Sequence, residues 1–176
     1  DTLVITTLKE DMTEPEKDYI VDYINAGGNL LLLCGTNFLE ELNLSNFQEI
    51  LNLYRLNIKD GIVLEGNANK MLSGYPDMII ENVAAGSITR NKDLNLNALL
   101  VDAGAIEVRD DEENSEIEYE TIVETSDTAF LRTNLNIASA SRTDLDSEED
   151  SYILGILATK TINDEKSSKL IMFADE

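Results

Sequence analysis

Two periods of apolar spacing interleave along the N-terminal part of the chain. Leu3-Val4-Ile5 is a short apolar, β-branched run and predicts a buried strand. Thr13 then precedes Glu14-Pro15-Glu16, where the hydroxyl and Glu16 can form a capping box and Pro15 occupies the donor-poor first turn. Ile20, Tyr23 and Ile24 follow at helical spacing, and Gly27 stands where a left-handed C-terminal residue is wanted. A helix over Glu14 to Ala26 is therefore expected, with a second strand over Asn29 to Cys34. Strand, capped helix and strand form a βαβ unit, whose crossover should be right-handed.

The alternation continues. Ser45 with Gln48 predicts another capping box, and Phe47, Ile50, Leu51 and Tyr54 fall at i, i+3, i+4 and i+7 of one helix. Ile58 to Leu64 reads as a third strand. The fold class this predicts is α/β: a three-layer domain with a mainly parallel central sheet and helices on both faces. The middle breaks the pattern at Gly74, Pro76 and Gly86, leaving short strands around Met78-Ile79-Ile80 and Ala98 to Val101. Ile106-Glu107-Val108 and Ile117 to Val123 flank the acidic stretch Asp110 to Glu116 and predict a β-hairpin with a solvated tip. Asp144 to Asp150 reads as an acidic loop, and Ile153 to Thr161 and Lys169 to Ala174 as the last strands. Residues 1–176 are expected to form a single domain.

Charge and residue usage narrow the chemistry. Lys and Arg total 13 against 35 Asp and Glu, a formal charge of −22, which repels nucleic acid and anionic lipid alike. Histidine is absent, which removes the usual general base near neutral pH, the commonest zinc ligand and every Ser-His or Cys-His pair. Cys34 is the only cysteine, so no internal disulfide can form. No run approaches the ~20 apolar residues of a membrane span, and no signal-peptide pattern opens the chain. Because strand-like segments lie at both ends, the chain is expected to be a domain excised from a larger protein.

Candidate chemistry is sparse. Cys34 ends an apolar strand before Gly35, but Leu32 and Thr36 stand where a nucleophile elbow needs small residues, so a structural thiol is expected. Gly27-Gly28 follows a helix and precedes a strand, the reverse of a phosphate loop, and reads as a helix stop. Asp144, Asp146 and Glu148 alternate like the first ligands of a calcium loop. Glu149 and Gly155 stand where glycine and glutamate are required, so no metal site is expected. In open α/β sheets ligands settle at the carboxyl ends of the strands. That edge would hold Thr6 and Thr7, Thr36 and Asn37, and Asp175, which makes Thr7, Thr36, Asn37 and Asp175 the candidate ligand-binding residues.

The segment Ile24-Asn25-Ala26-Gly27-Gly28-Asn29-Leu30-Leu31-Leu32-Leu33, with Tyr54 to Leu64, Ile153 to Ala158 and Lys169 to Asp175, resembles the extracytoplasmic domain of gliding-motility-type (GldG-like) ABC transporter auxiliary proteins. The resemblance implies a fold similar to class I glutamine amidotransferases, or flavodoxin-like, without catalytic machinery and without a cofactor. It also implies a membrane-anchored parent on the extracytoplasmic side of a bacterial cell membrane, beside an ABC permease and ATPase. It carries over no functional residues. The function expected is a non-catalytic accessory or ligand-binding module of an ABC-type transport system. The alternatives are a carboxylate- and Mg²⁺-dependent enzyme on the same scaffold and a protein–protein interaction domain.

Overall fold

The computed structural model describes residues 1–6, 8–35, 43–89, 96–109 and 116–175. Its first unit follows the sequence closely. Strands β1 (Thr2–Thr6) and β2 (Asn29–Leu33) pair in parallel, with Val4 opposite Leu31, and helix α1 (Glu14–Asn25) crosses between them. The Glu16 carboxylate accepts hydrogen bonds of 2.7 Å from both the amide and the hydroxyl of Thr13, which hold its pKa below the usual carboxylate value. Gly27 ends the helix at φ 88°, a left-handed conformation that a side chain would strain.

Helix α2 (Ser45–Asn52) buries Phe47, Ile50 and Leu51 as its spacing predicts, and Tyr54 beyond it is buried too. Its cap is not the predicted Ser45 box. The Asp11 carboxylate, 35 positions before Asn46, accepts from the Asn46 amide at 2.9 Å and from the Phe47 amide at 3.1 Å. Gln48 instead donates along the helix to Asn52. A capping carboxylate from a distant loop satisfies the same orphan amides, and no local pattern reveals it.

The sheet departs from the expected architecture. Strands β3 (Leu56–Lys59), β8 (Ala105–Val108), β11 (Ile153–Asn163) and β12 (Lys166–Phe173) join β1 and β2 in the order β1-β2-β12-β11-β8-β3, with β9 (Ile117–Glu124) also paired to β11. Among the described residues only β1-β2-β12 is parallel; β12-β11, β11-β8, β11-β9 and β8-β3 are antiparallel. Strand makes up 44% and helix 13%, with 2 helices among the described residues, so the chain is not a helix-flanked, mainly parallel three-layer domain.

Two local causes account for the difference. Gly61, at φ 104°, turns the chain between β3 and β4 (Ile62–Leu64), so the predicted strand over 58–64 is divided between two sheets. The predicted hairpin also fails: β8 and β9 each pair antiparallel with β11, so they run in the same direction as each other.

The two faces of the large sheet carry different layers. Leu30, Leu32, Ile156, Ala158, Leu170 and Met172 point to the helices and form one core with Ile24, Phe47, Ile50, Leu51 and Tyr54. Behind the sheet, Leu154 and Leu157 pack with Val63, Ile79, Leu100 and Val123 in a second core. That core belongs to β4, β9, the antiparallel sheet β5 (Met71–Leu72), β6 (Tyr75–Asn82) and β7 (Asn97–Val101), and β10 (Phe130–Arg132), which pairs with β4. It reaches only as far as Ile171 and Phe173 of β12. The β1 side of the sheet lies beyond it.

Candidate functional site

Of the residues expected at the strand ends, Asp175 is described; Thr7, Thr36 and Asn37 lie outside the described residues. The edge itself is real, because Thr6, Leu33 and Phe173 stand in register at the carboxyl ends of parallel strands. Asp175 follows that edge and accepts a 3.3 Å hydrogen bond from the Val101 amide. Asp102 sits beside it in a left-handed turn (φ 52°), anchored by a 3.0 Å bond from its amide to the Asp77 carbonyl.

Partial desolvation raises the pKa of the Asp102 carboxyl, although the residue is exposed, and the neighbouring Asp77 and Asp175 raise it further. Asp77 and Asp102 open onto a cleft of about 440 Å³ whose other walls include Ile62, Leu64, Tyr75 and Leu135. Arg132 lines the cleft too, but its guanidinium is already saturated. It makes two 2.8 Å bonds to Asp146 and donates to the carbonyls of Ser139 and Ser141. Asp146 is thus not part of a solvated acidic loop; it is a buried ion-pair partner that also accepts from the Thr143 amide at 2.7 Å.

Because Asp102 keeps its proton to higher pH when folded than when unfolded, the stability this provides is present in acid. It is lost as pH rises through the folded pKa. Asp102→Asn should therefore raise the melting temperature at pH 7, with the gain vanishing below the ordinary aspartate range. Asn tolerates the left-handed backbone, which makes the variant a clean one. A melting series across pH checks both the sign and the window.

Cys34 follows β2 and is buried, and desolvation pushes its thiol up to about 12. Little thiolate exists at neutral pH, as expected for a structural residue. Cys34→Ser should cost roughly 1 kcal/mol, and the native thiol should resist alkylation until the protein unfolds. Among the described residues no group of three or more Cys, Asp or Glu is placed to hold a metal ion.

A second concavity has no counterpart in the sequence reading. Among the described residues β1 pairs only with β2 and forms the edge of the sheet. Leu3 and Val4, expected to be buried, are 37% and 52% exposed. Natural edge strands are blunted by Lys, Pro or a bulge. The run Thr2-Leu3-Val4-Ile5-Thr6 has neither residue, and its register with β2 is unbroken.

On the helix face, Leu3 and Ile5 continue the rows of Leu30 and Leu32 into a groove of about 440 Å³. Among the described residues its apolar lining also includes Leu8, Met12, Tyr19 and Ile20, and its charged lining residues are Glu10, Asp11 and Glu16. On the opposite face Val4 lies beside Leu31, outside the second core. Among the described residues the edge therefore combines a backbone side that nothing pairs with, an apolar floor and an acidic rim. Only the lack of charge within β1 could have signalled it in advance.

No protein-family model matches the chain, and no curated protein matches it. Among solved structures, the fold is similar to the mmIFT52 N-terminal domain, at 14% identity and a TM-score of 0.62, covering 99% of this chain and 65% of that one. The chain thus spans less than two thirds of that structure's length. A ThuA-like protein from Bacteroides uniformis is aligned over 98% of this chain and 59% of its own at 11% identity, with a TM-score of 0.42. At such identities the first likeness concerns the fold alone, and the second is too loose to bear on anything further. No helix among the described residues is long and apolar enough to cross a membrane.

Proposed function

We propose that the protein is a non-catalytic interaction module that docks a partner polypeptide along the free edge of β1. The observation that carries this reading is the edge strand β1, whose outer side nothing pairs with among the described residues, with Leu3 and Val4 exposed on its two faces beside an apolar groove. Strand addition uses such features directly: outward amides and carbonyls supply affinity, and pockets for alternate side chains supply selection. The buried, high-pKa Cys34 thiol fits a role in which no nucleophile is needed.

The resemblance of Ile24 to Leu33 and Tyr54 to Leu64 to GldG-like proteins supports an accessory role in an ABC-type transport system. The permease and ATPase would then be the associated subunits, with a membrane-anchored parent outside the cytoplasm. Neither similar structure bears on that setting.

The test is an NMR titration with a capped, uncharged octapeptide of alternating Val and Thr. Amide shifts should concentrate at residues 2–6 and at Met12, Tyr19 and Ile20. Shifts confined to the Asp77–Asp102 cleft, or none at saturating peptide, would contradict strand docking.

A further inference from the structure

We infer that the strand received by β1 is an amphipathic one bearing cationic side chains; the inference rests on the docking reading and adds the chemistry of the partner. Both kinds of observation come from the groove. Its floor of Leu3, Ile5, Leu8, Met12 and Ile20 accepts apolar side chains from alternate positions of an added strand, those pointing to the helix side. Its rim is negative. Glu10 has no partner among the described residues, and two hydrogen bonds from Thr13 favour the ionised form of Glu16.

The nearest helix adds to this field. Of its charged residues Glu14, Glu16, Lys17, Asp18 and Asp22, only Lys17 is basic, and its ammonium is drawn to Glu49 of α2 at 2.8 Å, within 3.8 Å of Asp18. Lys9 is not among the residues that line the groove. Tyr19, 75% exposed on the same wall, offers an aromatic face on which a Lys or Arg side chain can rest.

Charge also opposes the simplest alternative occupant. Pairing β1 with β1 of a second copy would set one acidic rim against another on two chains of formal charge −22 each. Like-charged rims that fall within the Debye length of about 8 Å at physiological salt repel. A cationic strand gains from the same field that opposes self-association.

The experiment compares three capped octapeptides with the same Val-Thr core and Lys, Gln or Glu at both ends, measured by calorimetry on the full chain. The Lys peptide should bind about tenfold tighter than the Gln peptide at low salt, the Glu peptide weaker still, and the differences should collapse as the Debye length shrinks to ~3 Å at 1 M salt. Glu10→Gln combined with Glu16→Gln should shrink the Lys-to-Gln affinity ratio; glutamine can still close the capping box, so the helix start survives. Equal affinity for all three peptides would overturn the cationic assignment while leaving strand docking intact. Binding of none would remove the docking reading itself. A concentration-dependent dimer in sedimentation, not dissolved by the Lys peptide, would give the edge to a second copy and overturn the inference as well.

Discussion

Asp146→Asn should destabilise the protein by about 3–5 kcal/mol, because it strips a buried guanidinium of its counter-charge. The Arg132 and Asp146 side chains are 4% and 0% exposed and meet through two 2.8 Å bonds. The remaining guanidinium donors go to backbone carbonyls of Ile137, Ser139 and Ser141, so the pair also fixes the segment that follows β10. Removing the charge leaves the Arg132 cation buried against neutral acceptors, and this far outweighs a surface ion pair. For a chain of this size the loss corresponds to a fall of roughly 6–20 °C in melting temperature.

The pH dependence has a definite sign. Arg132 beside Asp146 holds the carboxyl far below the usual aspartate value, with hydrogen bonds from Thr143 acting in the same direction. The stabilisation is therefore complete above the ordinary aspartate pKa of about 3.9 and is lost as pH falls through the depressed folded value. Wild type and variant should converge in strong acid. A loss below 1 kcal/mol at pH 7 would show that the loop relaxes to hydrate Arg132.

The second large effect is expected from Phe47→Ala, which should cost about 3–5 kcal/mol by removing a core aromatic. Phe47 is 1% exposed on α2, within the core that joins both helices to the sheet. The site also bears on the groove. The Phe47 and Asn46 amides donate to Asp11, and the Asn46 side chain donates to the Met12 carbonyl at 2.8 Å. Asp11 and Met12 line the β1 groove, so a loosened α2 should weaken strand binding as well as stability. Urea unfolding measures the first effect and peptide affinity in the absence of denaturant the second. With total stability of about 5–15 kcal/mol typical of such domains, either substitution alone removes a large share.

Local signals were legible where the physics is local. The capping residues Thr13 and Glu16, the stop at Gly27 and the spacing of Phe47, Ile50, Leu51 and Tyr54 all specify elements through contacts a few residues apart. Pairing partners are not encoded that way. The apolar stretches 153–161 and 169–174 look like separate strands, yet β11 runs to Asn163 and β12 starts at Lys166. Polar Thr161, Asn163, Lys166 and Ser167 extend both strands to a turn at Asp164 and Glu165, and so short a connection forces antiparallel pairing. Hydrophobicity marks which strand positions are buried, and the exposed half of this hairpin escaped it.

The same limit hid the candidate site. Leu3-Val4-Ile5 has the composition of an interior strand, and only the sheet order shows that nothing pairs with its outer side among the described residues. Asp146 illustrates the converse: its acidic neighbourhood reads as solvated, but the Arg132 that buries it lies 14 positions away.

The most direct test of the central claim is backbone hydrogen exchange across β1 and β2. In a parallel ladder alternate residues of an edge strand direct both amide and carbonyl outward. Alternate amides of residues 2–6 should therefore exchange rapidly in the free protein, while those of β2, paired on both sides by β1 and β12, are protected. Adding the Lys-ended peptide should slow the rapid set of β1 and leave β2 unchanged. Protection of every β1 amide before peptide is added, or no change at saturating peptide, would contradict docking at this edge.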